Sequence, residues 1–166
     1  MRLSRILALL ALAPLLGVAA CSAQSADGAQ AETQSAAAAV HPVSGLPVIA
    51  LTVTSGGKTH NFRVEVAGSP QDQARGLMFR TTMGADEGMI FPMNPPRQTS
   101  FWMHNTVIPL DIIHIGVDGL VSNIYANTVP YSDTPLPSEG LVKAVLELNG
   151  GRAAQLGIVP GSRVAW

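Results

Sequence analysis

Two glycine-centred turns constrain this chain more than any other feature: SGGK at Ser55–Lys58 and GVDG at Gly116–Gly119. Each joins two runs of β-forming residues. Before the first lies Val48–Thr54. After it, Phe62, Val64 and Val66 alternate with Arg63 and Glu65, the period of two that sends successive side chains to opposite faces of a strand. The second joins DIIHI to LVSNIY. Such runs, closed by Gly-containing turns, predict two β-hairpins. Further strands are expected near Met89–Phe91, along TSFWMH, and along LVKAVLEL, whose valine spacing and NGG exit favour a strand. In TSFWMH, one face would carry Phe101 and Met103 and the other Ser100, Trp102 and His104.

Helix signals are few and short. Ser69 is placed as an N-cap, Pro70 at the first helical position, Asp72 in the first turn and Gly76 as the stop, the residue chemistry that helix ends require. GRAAQLG reads as a second short helix ending at Gly157. The expected fold class is therefore α+β and mostly β. It would be a compact single domain with two short helices and a curved sheet or partial barrel, which hides strand edges.

The domain is expected to span residues 46–166. Before it, Arg2 and Arg5 precede an apolar run of 11 residues, Ile6–Leu16. A helix crossing a bilayer needs about 20 residues, so residues 1–20 read as a signal peptide. The run ends in GVAAC, which resembles the lipobox of bacterial lipoproteins, with Cys21 as the lipidated residue. Cys21 is the only cysteine in the chain, so the mature domain has neither an internal disulfide nor a thiol nucleophile. Residues 21–45, rich in Ala, Gln, Ser and Gly and without aromatics, read as a lipidated, flexible tether. With Ser22 after the cysteine, the expected address is the periplasmic face of the envelope, lipid-anchored at the outer membrane.

The domain holds eight Lys/Arg against nine Asp/Glu, scattered along its length. Nucleic acid is a poor partner for it, because phosphate binding needs clustered positive charge. No cofactor is implied. The expected partners are the membrane, through Cys21, and a small molecule or envelope protein.

ARGLMFR (Ala74–Arg80), EGMIF (Glu87–Phe91), FWMHNTVIPLDI (Phe101–Ile112) and VLELNGG (Val145–Gly151) occur in that order. Together they resemble the DUF192 family, also labelled UPF0127, over about Val53–Val164. That family commonly has WMKNT where this chain has His104. The resemblance implies a small, largely β domain, often exported or membrane-tethered, and carries no established reaction.

The candidate ligand-binding residues are Arg75, Arg80, Trp102, His104, Asn105 and Asp111. Arg75 and Arg80 could clamp a carboxylate or phosphate, since a guanidinium binds such groups bidentately; internal salt bridges to Glu87, Asp111 or Glu147 are the alternative. Asp111 follows a turn whose backbone N–H groups need acceptors, so it either caps that turn or orients a ligand as an acid. Trp102 is a stacking platform or a core residue. Glu147, between Leu146 and Leu148, is expected to be solvated or paired with an arginine. Met89, Met103 and His104 offer thioether and imidazole ligands suited to Cu(I), or methionines that fill gaps in a core.

The leading functional expectation is an envelope-tethered accessory or binding domain for a small anionic or sugar-like ligand, or for a partner protein. Periplasmic Cu(I) handling is the alternative, and a weak hydrolase-type enzyme using Asp111 and His104 comes third. Ser100, His104 and Asp111 do not form a triad on an extended strand, where residues four apart lie about 13 Å from each other.

Overall fold

Gly56 and Gly57 both adopt positive φ, 54° and 77°, the conformation that a two-residue hairpin loop demands. They fold β2 (Pro47–Ser55) back on β3 (Lys58–Val66) in unbroken antiparallel register from Val48 opposite Glu65 to Ser55 opposite Lys58. The computed structural model of the chain describes residues 39–166. The expected signal peptide, Cys21 and most of the expected tether lie outside the described residues. Residues 39–45, placed in the tether from sequence, are part of the fold. β1 (Ala39–Val40) pairs with the start of β2, and the Ser44 hydroxyl donates to Glu65.

From β3 the chain crosses through α1 (Pro70–Arg75) to β4 (Glu87–Arg97), which lies parallel to β3. A parallel pair needs such a crossover. The predicted start of α1 is present as a reciprocal capping box: Ser69 Oγ accepts from the Asp72 N–H at 3.1 Å, and the Asp72 carboxylate accepts from the Ser69 N–H at 3.2 Å. Gln73 fixes the helix to β4 by donating to the Pro92 carbonyl at 2.8 Å. After the short strand β5 (Ser100–Phe101) come the hairpin β6 (Leu110–Gly116) and β7 (Val121–Tyr125), then β8 (Leu136–Pro137), which pairs with β5. β9 (Val142–Asn149) inserts between β4 and β6, antiparallel to both. α2 (Arg152–Leu156) and β10 (Arg163–Ala165) complete the chain, with β10 against β2.

The main sheet runs β1-β2-β3-β4-β9-β6-β7. One isolated bridge links Leu120 to Arg163, but the sheet does not close. The fold is α+β and mostly β, with two short helices.

Its centre, β4-β9-β6, is buried on both faces. One face carries Ile90, Ile113, Ile115, Leu146 and Leu148, packed with Leu51, Val53 and Phe62. The other carries Met89, Phe91, Ile112 and Val145, packed under Leu77 and Met103. Each fully buried large side chain of this kind contributes about 1.5–3 kcal/mol. β4 and β9 approach so closely at Gly88 that a Cβ there would lie 2.5 Å from the Glu147 carbonyl oxygen, which no other residue could accommodate without separating the strands.

TSFWMH departs from its expected form. Only Ser100 and Phe101 are strand, and the chain turns immediately afterwards. The Thr106 N–H donates to the Met103 carbonyl at 3.0 Å, and Asn105 takes φ 54°, a conformation that asparagine tolerates better than most residues. Local turn chemistry here overrides the period-two pattern.

Candidate functional site

Because side chains alternate along a strand, Glu147 belongs to the same sheet face as Val145. It sits directly between Met89 on β4 and Ile112 on β6. At that level of the sheet its carboxyl group thus stands between two apolar side chains. Glu147 is 5% exposed. Its Oε2 atom is buried without a hydrogen-bond partner among the described residues. Burial disfavours the charged form and raises its pKa from 4.5 to about 8. The expectation that Glu147 is solvated or arginine-paired is corrected: strand geometry turns it inward, and among the described residues no arginine pairs with it.

Glu147 lines a cavity of about 320 Å³, within the size range of small-molecule sites. Leu77 from the crossover, Phe91 and Met93 from β4, and Phe101 from β5 form apolar wall. Phe91 and Phe101 meet edge to face, with ring centroids 4.9 Å apart. Arg75, Arg97 and His104 supply the charged and titratable groups besides Glu147. Arg75 is exposed and forms no ion pair among the described residues. Arg97 makes one long contact, 3.4 Å to Gln73 Oε1.

Trp102, 53% exposed, also lines this cavity. Its ring stacks on His104 with centroids 4.8 Å apart and planes 25° from parallel. His104 is held in turn by Asp133, 2.7 Å from its Nδ1. A half-exposed indole so supported is a surface on which a ring or apolar ligand face can lie.

The other expected residues do different work. Arg80 donates bidentately to Glu65 at 2.8 and 3.1 Å. Its partner is thus Glu65, rather than any of the three acids expected, because the turn after α1 lays Arg80 over the far end of β3. Arg80 also borders a larger hollow of about 630 Å³ near His41 and Met83, but there its charge is already satisfied. Asp111 lines neither space. It is fully buried, and its Oδ1 accepts from the Asn127 and Gly151 N–H groups at 2.7 and 2.8 Å, while Oδ2 accepts from Ala153 at 2.7 Å. Gly151 begins α2 without a side-chain cap of its own, and Asp111 supplies one from across the sheet. The Asn105 carbonyl accepts from the Phe79 N–H at 2.9 Å, tying the turn to the crossover.

Met89 and Met103 are core residues, each 1% exposed. Met103 Sδ accepts from the Thr128 hydroxyl at 3.0 Å, and neither methionine lines the cavity, whereas His104 does. No cluster of three or more His, Cys, Asp or Glu side chains suited to a metal occurs among the described residues. His104 and Asp111 are separately engaged, with Asp133 and with backbone N–H groups respectively.

Glu147 was the residue least visible in advance. A lone carboxylate within VLEL is compatible with a solvent-facing position, and only the insertion of β9 between β4 and β6 shows that both faces are covered.

No curated protein matches this chain. Among solved structures, it is similar to a protein of unknown function from Novosphingobium aromaticivorans DSM 12444. The two are 59% identical with a TM-score of 0.77, over 80% of this chain and 94% of that one. It is also similar to a protein from Sinorhizobium meliloti 1021 described as a candidate transcription regulator, at 38% identity and a TM-score of 0.70. That match covers 72% of this chain and 94% of the other. The sequence model of the DUF192 family, described as an uncharacterized ACR, matches residues 51–166. The chain belongs to the DUF192 family.

Proposed function

We propose that the domain is a small-ligand-binding module whose site is the cavity between Trp102 and Glu147. The observation that carries this reading is a carboxyl group, 5% exposed and without a partner on Oε2, in the wall of a cavity of about 320 Å³. An unmade hydrogen bond at a buried polar group costs about 1–3 kcal/mol, and a bound ligand is one way to recover it. Arg75, without an ion pair among the described residues, binds an anionic group of the ligand. Trp102, braced by His104 and Asp133, stacks on its ring or apolar face.

The signal-like segment and Cys21 support an envelope address, with lipid on Cys21 holding the domain at the periplasmic side of the outer membrane. Among the described residues no helix is long and apolar enough to cross a membrane.

The test uses Trp102 emission in the Trp166→Phe chain, where it is the only indole. Small carboxylates and sugar acids are titrated in turn. At least one is expected to change the emission saturably, and Arg75→Ala to weaken that ligand about tenfold or more, as loss of a charge-assisted hydrogen bond predicts. Absence of any saturable response, or binding that ignores Arg75→Ala, contradicts the reading.

A further inference from the structure

Resting on that reading, we infer that Glu147 receives the cationic end of the ligand: the cavity is built for a small zwitterionic amine, with its ammonium on Glu147 and its acidic group on Arg75 or Arg97.

Three observations carry this beyond a generic small ligand. The first is what Glu147 lacks. Oε2 is buried with no donor, and the residues level with it on both neighbouring strands, Met89 and Ile112, provide none. Gln73, Thr99, Ser100 and Thr106 also line the cavity, but at the level of Glu147 the sheet offers one acid between two apolar side chains. A single ammonium matches that pattern. The second is the aromatic lining. Phe91, Phe101 and Trp102 all border the cavity, and aromatic faces attract cations by about 0.5–2 kcal/mol, more when water is excluded. The third is the placing of the protein's own cations. Arg75 and Arg97 border the same cavity but neither pairs with Glu147, so the site holds an acid and two guanidiniums that have no ion-pair partner among the described residues. A ligand with one charge of each sign complements both.

The consequence is proton-linked binding. Burial holds the free carboxyl largely protonated at neutral pH, with a pKa of about 8. A bound ammonium stabilises the carboxylate, so the Glu147 proton passes to solvent as the ligand enters, and the ligand keeps its own. The other titratable groups that line the cavity are Arg75 from α1, Arg97 from β4 and His104, which is paired with Asp133. His114 lies on β6 on the same sheet face; burial lowers its pKa to about 4, so it is neutral in the range that matters.

The experiment is isothermal titration of the full chain at pH 7 with ω-amino acids of two to six carbons. Monocarboxylic acids of equal length and glucose are run beside them, each in phosphate and in Tris. The dependence of the heat on buffer gives the number of protons released. The amino acids are expected to bind best and to release close to one proton each. Their affinity should rise about tenfold per pH unit from pH 6 to 8 and level off above. Glu147→Gln should abolish the proton release. If the monocarboxylic acids or glucose bind as tightly, with no proton released and no effect of Glu147→Gln, the zwitterion inference is overturned while the cavity remains a binding site. If no probe binds, both fall.

Discussion

Glu147 and His114 lie on one face of the central sheet, one ladder step apart: Glu147 is level with Ile112, and His114 is level with Val145. Both are buried. Glu147 Oε2 and both His114 ring nitrogens have no hydrogen-bond partner. Burial drives each to its neutral form, the acid by raising its pKa to about 8 and the base by lowering its pKa to about 4. Two buried ionisable groups, each flanked on the neighbouring strands by apolar side chains at its own level or one step away, thus make the fold sensitive to pH in opposite directions.

Glu147 sets the alkaline side. Between pH 4.5 and about 8 the folded chain keeps a proton that the unfolded chain has released, so stability falls as pH rises through this window and is flat above it. At about 1.4 kcal/mol per pKa unit, the total is a few kcal/mol. Urea denaturation of Glu147→Gln against the parent should show an advantage for the variant that grows from pH 5 to pH 8 and then stays constant. An advantage that is constant across pH 5–8, or that shrinks, would show that Glu147 ionises normally.

His114 sets the acid side. The unfolded chain takes up a proton below about pH 6.5, whereas the folded chain resists until about pH 4. Its contribution is fully present above pH 6.5 and is lost as pH falls through pH 4. His114 packs edge-on against Phe101 and Tyr125, with centroids 6.3 and 5.9 Å away, so phenylalanine fits its surroundings. His114→Phe is expected to gain stability over the parent as pH drops from 6.5 to 4. Equal acid sensitivity in the two proteins would place the proton elsewhere.

Asp111 is a structural clip between β6, the Asn127 turn and the start of α2. Asp111→Ala leaves three backbone N–H groups without their acceptor, each worth about 1–3 kcal/mol if it stays buried. A loss of about 3–5 kcal/mol in thermal or urea stability is expected. Asp111→Asn, which keeps one carbonyl oxygen, should lose less. A loss below about 1 kcal/mol in the alanine variant would mean that water replaces the carboxylate.

The two arginines of ARGLMFR part company. Removing Arg80 leaves Glu65, whose side chain is 4% exposed, with only the Ser44 hydroxyl and His41 beside it, and breaking such a buried pair costs about 3–5 kcal/mol. Arg75, exposed and in no ion pair among the described residues, should tolerate alanine within about 0.5 kcal/mol while losing ligand. The reverse pattern, a stable Arg80→Ala and an unfolded Arg75→Ala, would exchange their roles.

Much of the architecture was legible in the sequence because it rests on local chemistry. SGGK and GVDG mark hairpins through their glycines, and Ser69, Pro70 and Asp72 mark a helix start through capping. What was not legible depends on neighbours distant in the chain. Ser100–His104 looked like strand by alternation, but Asn105 and the Met103–Thr106 hydrogen bond turn it within two residues. Trp102 and His104 still meet, by stacking in the turn rather than by sharing a strand face. Arg80 has a partner 15 residues away in sequence, and Asp111 holds groups 16 to 42 residues away. Glu147 shows the limit most clearly. Its strand is evident from LVKAVLEL, but whether its face meets water depends on which strands flank it, and β9 is flanked by β4 and β6 through long connections.

The most direct measurement is a carbon-13 NMR titration of the Glu147 side-chain carboxyl in the full chain, assigned by comparison with Glu147→Gln. A neutral carboxyl in the cavity wall predicts a midpoint near pH 8 in the free protein, which a bound zwitterionic amine moves downward. A midpoint near 4.5, the ordinary glutamate value, would show that water or a cation already satisfies the group, and would contradict the account of the site.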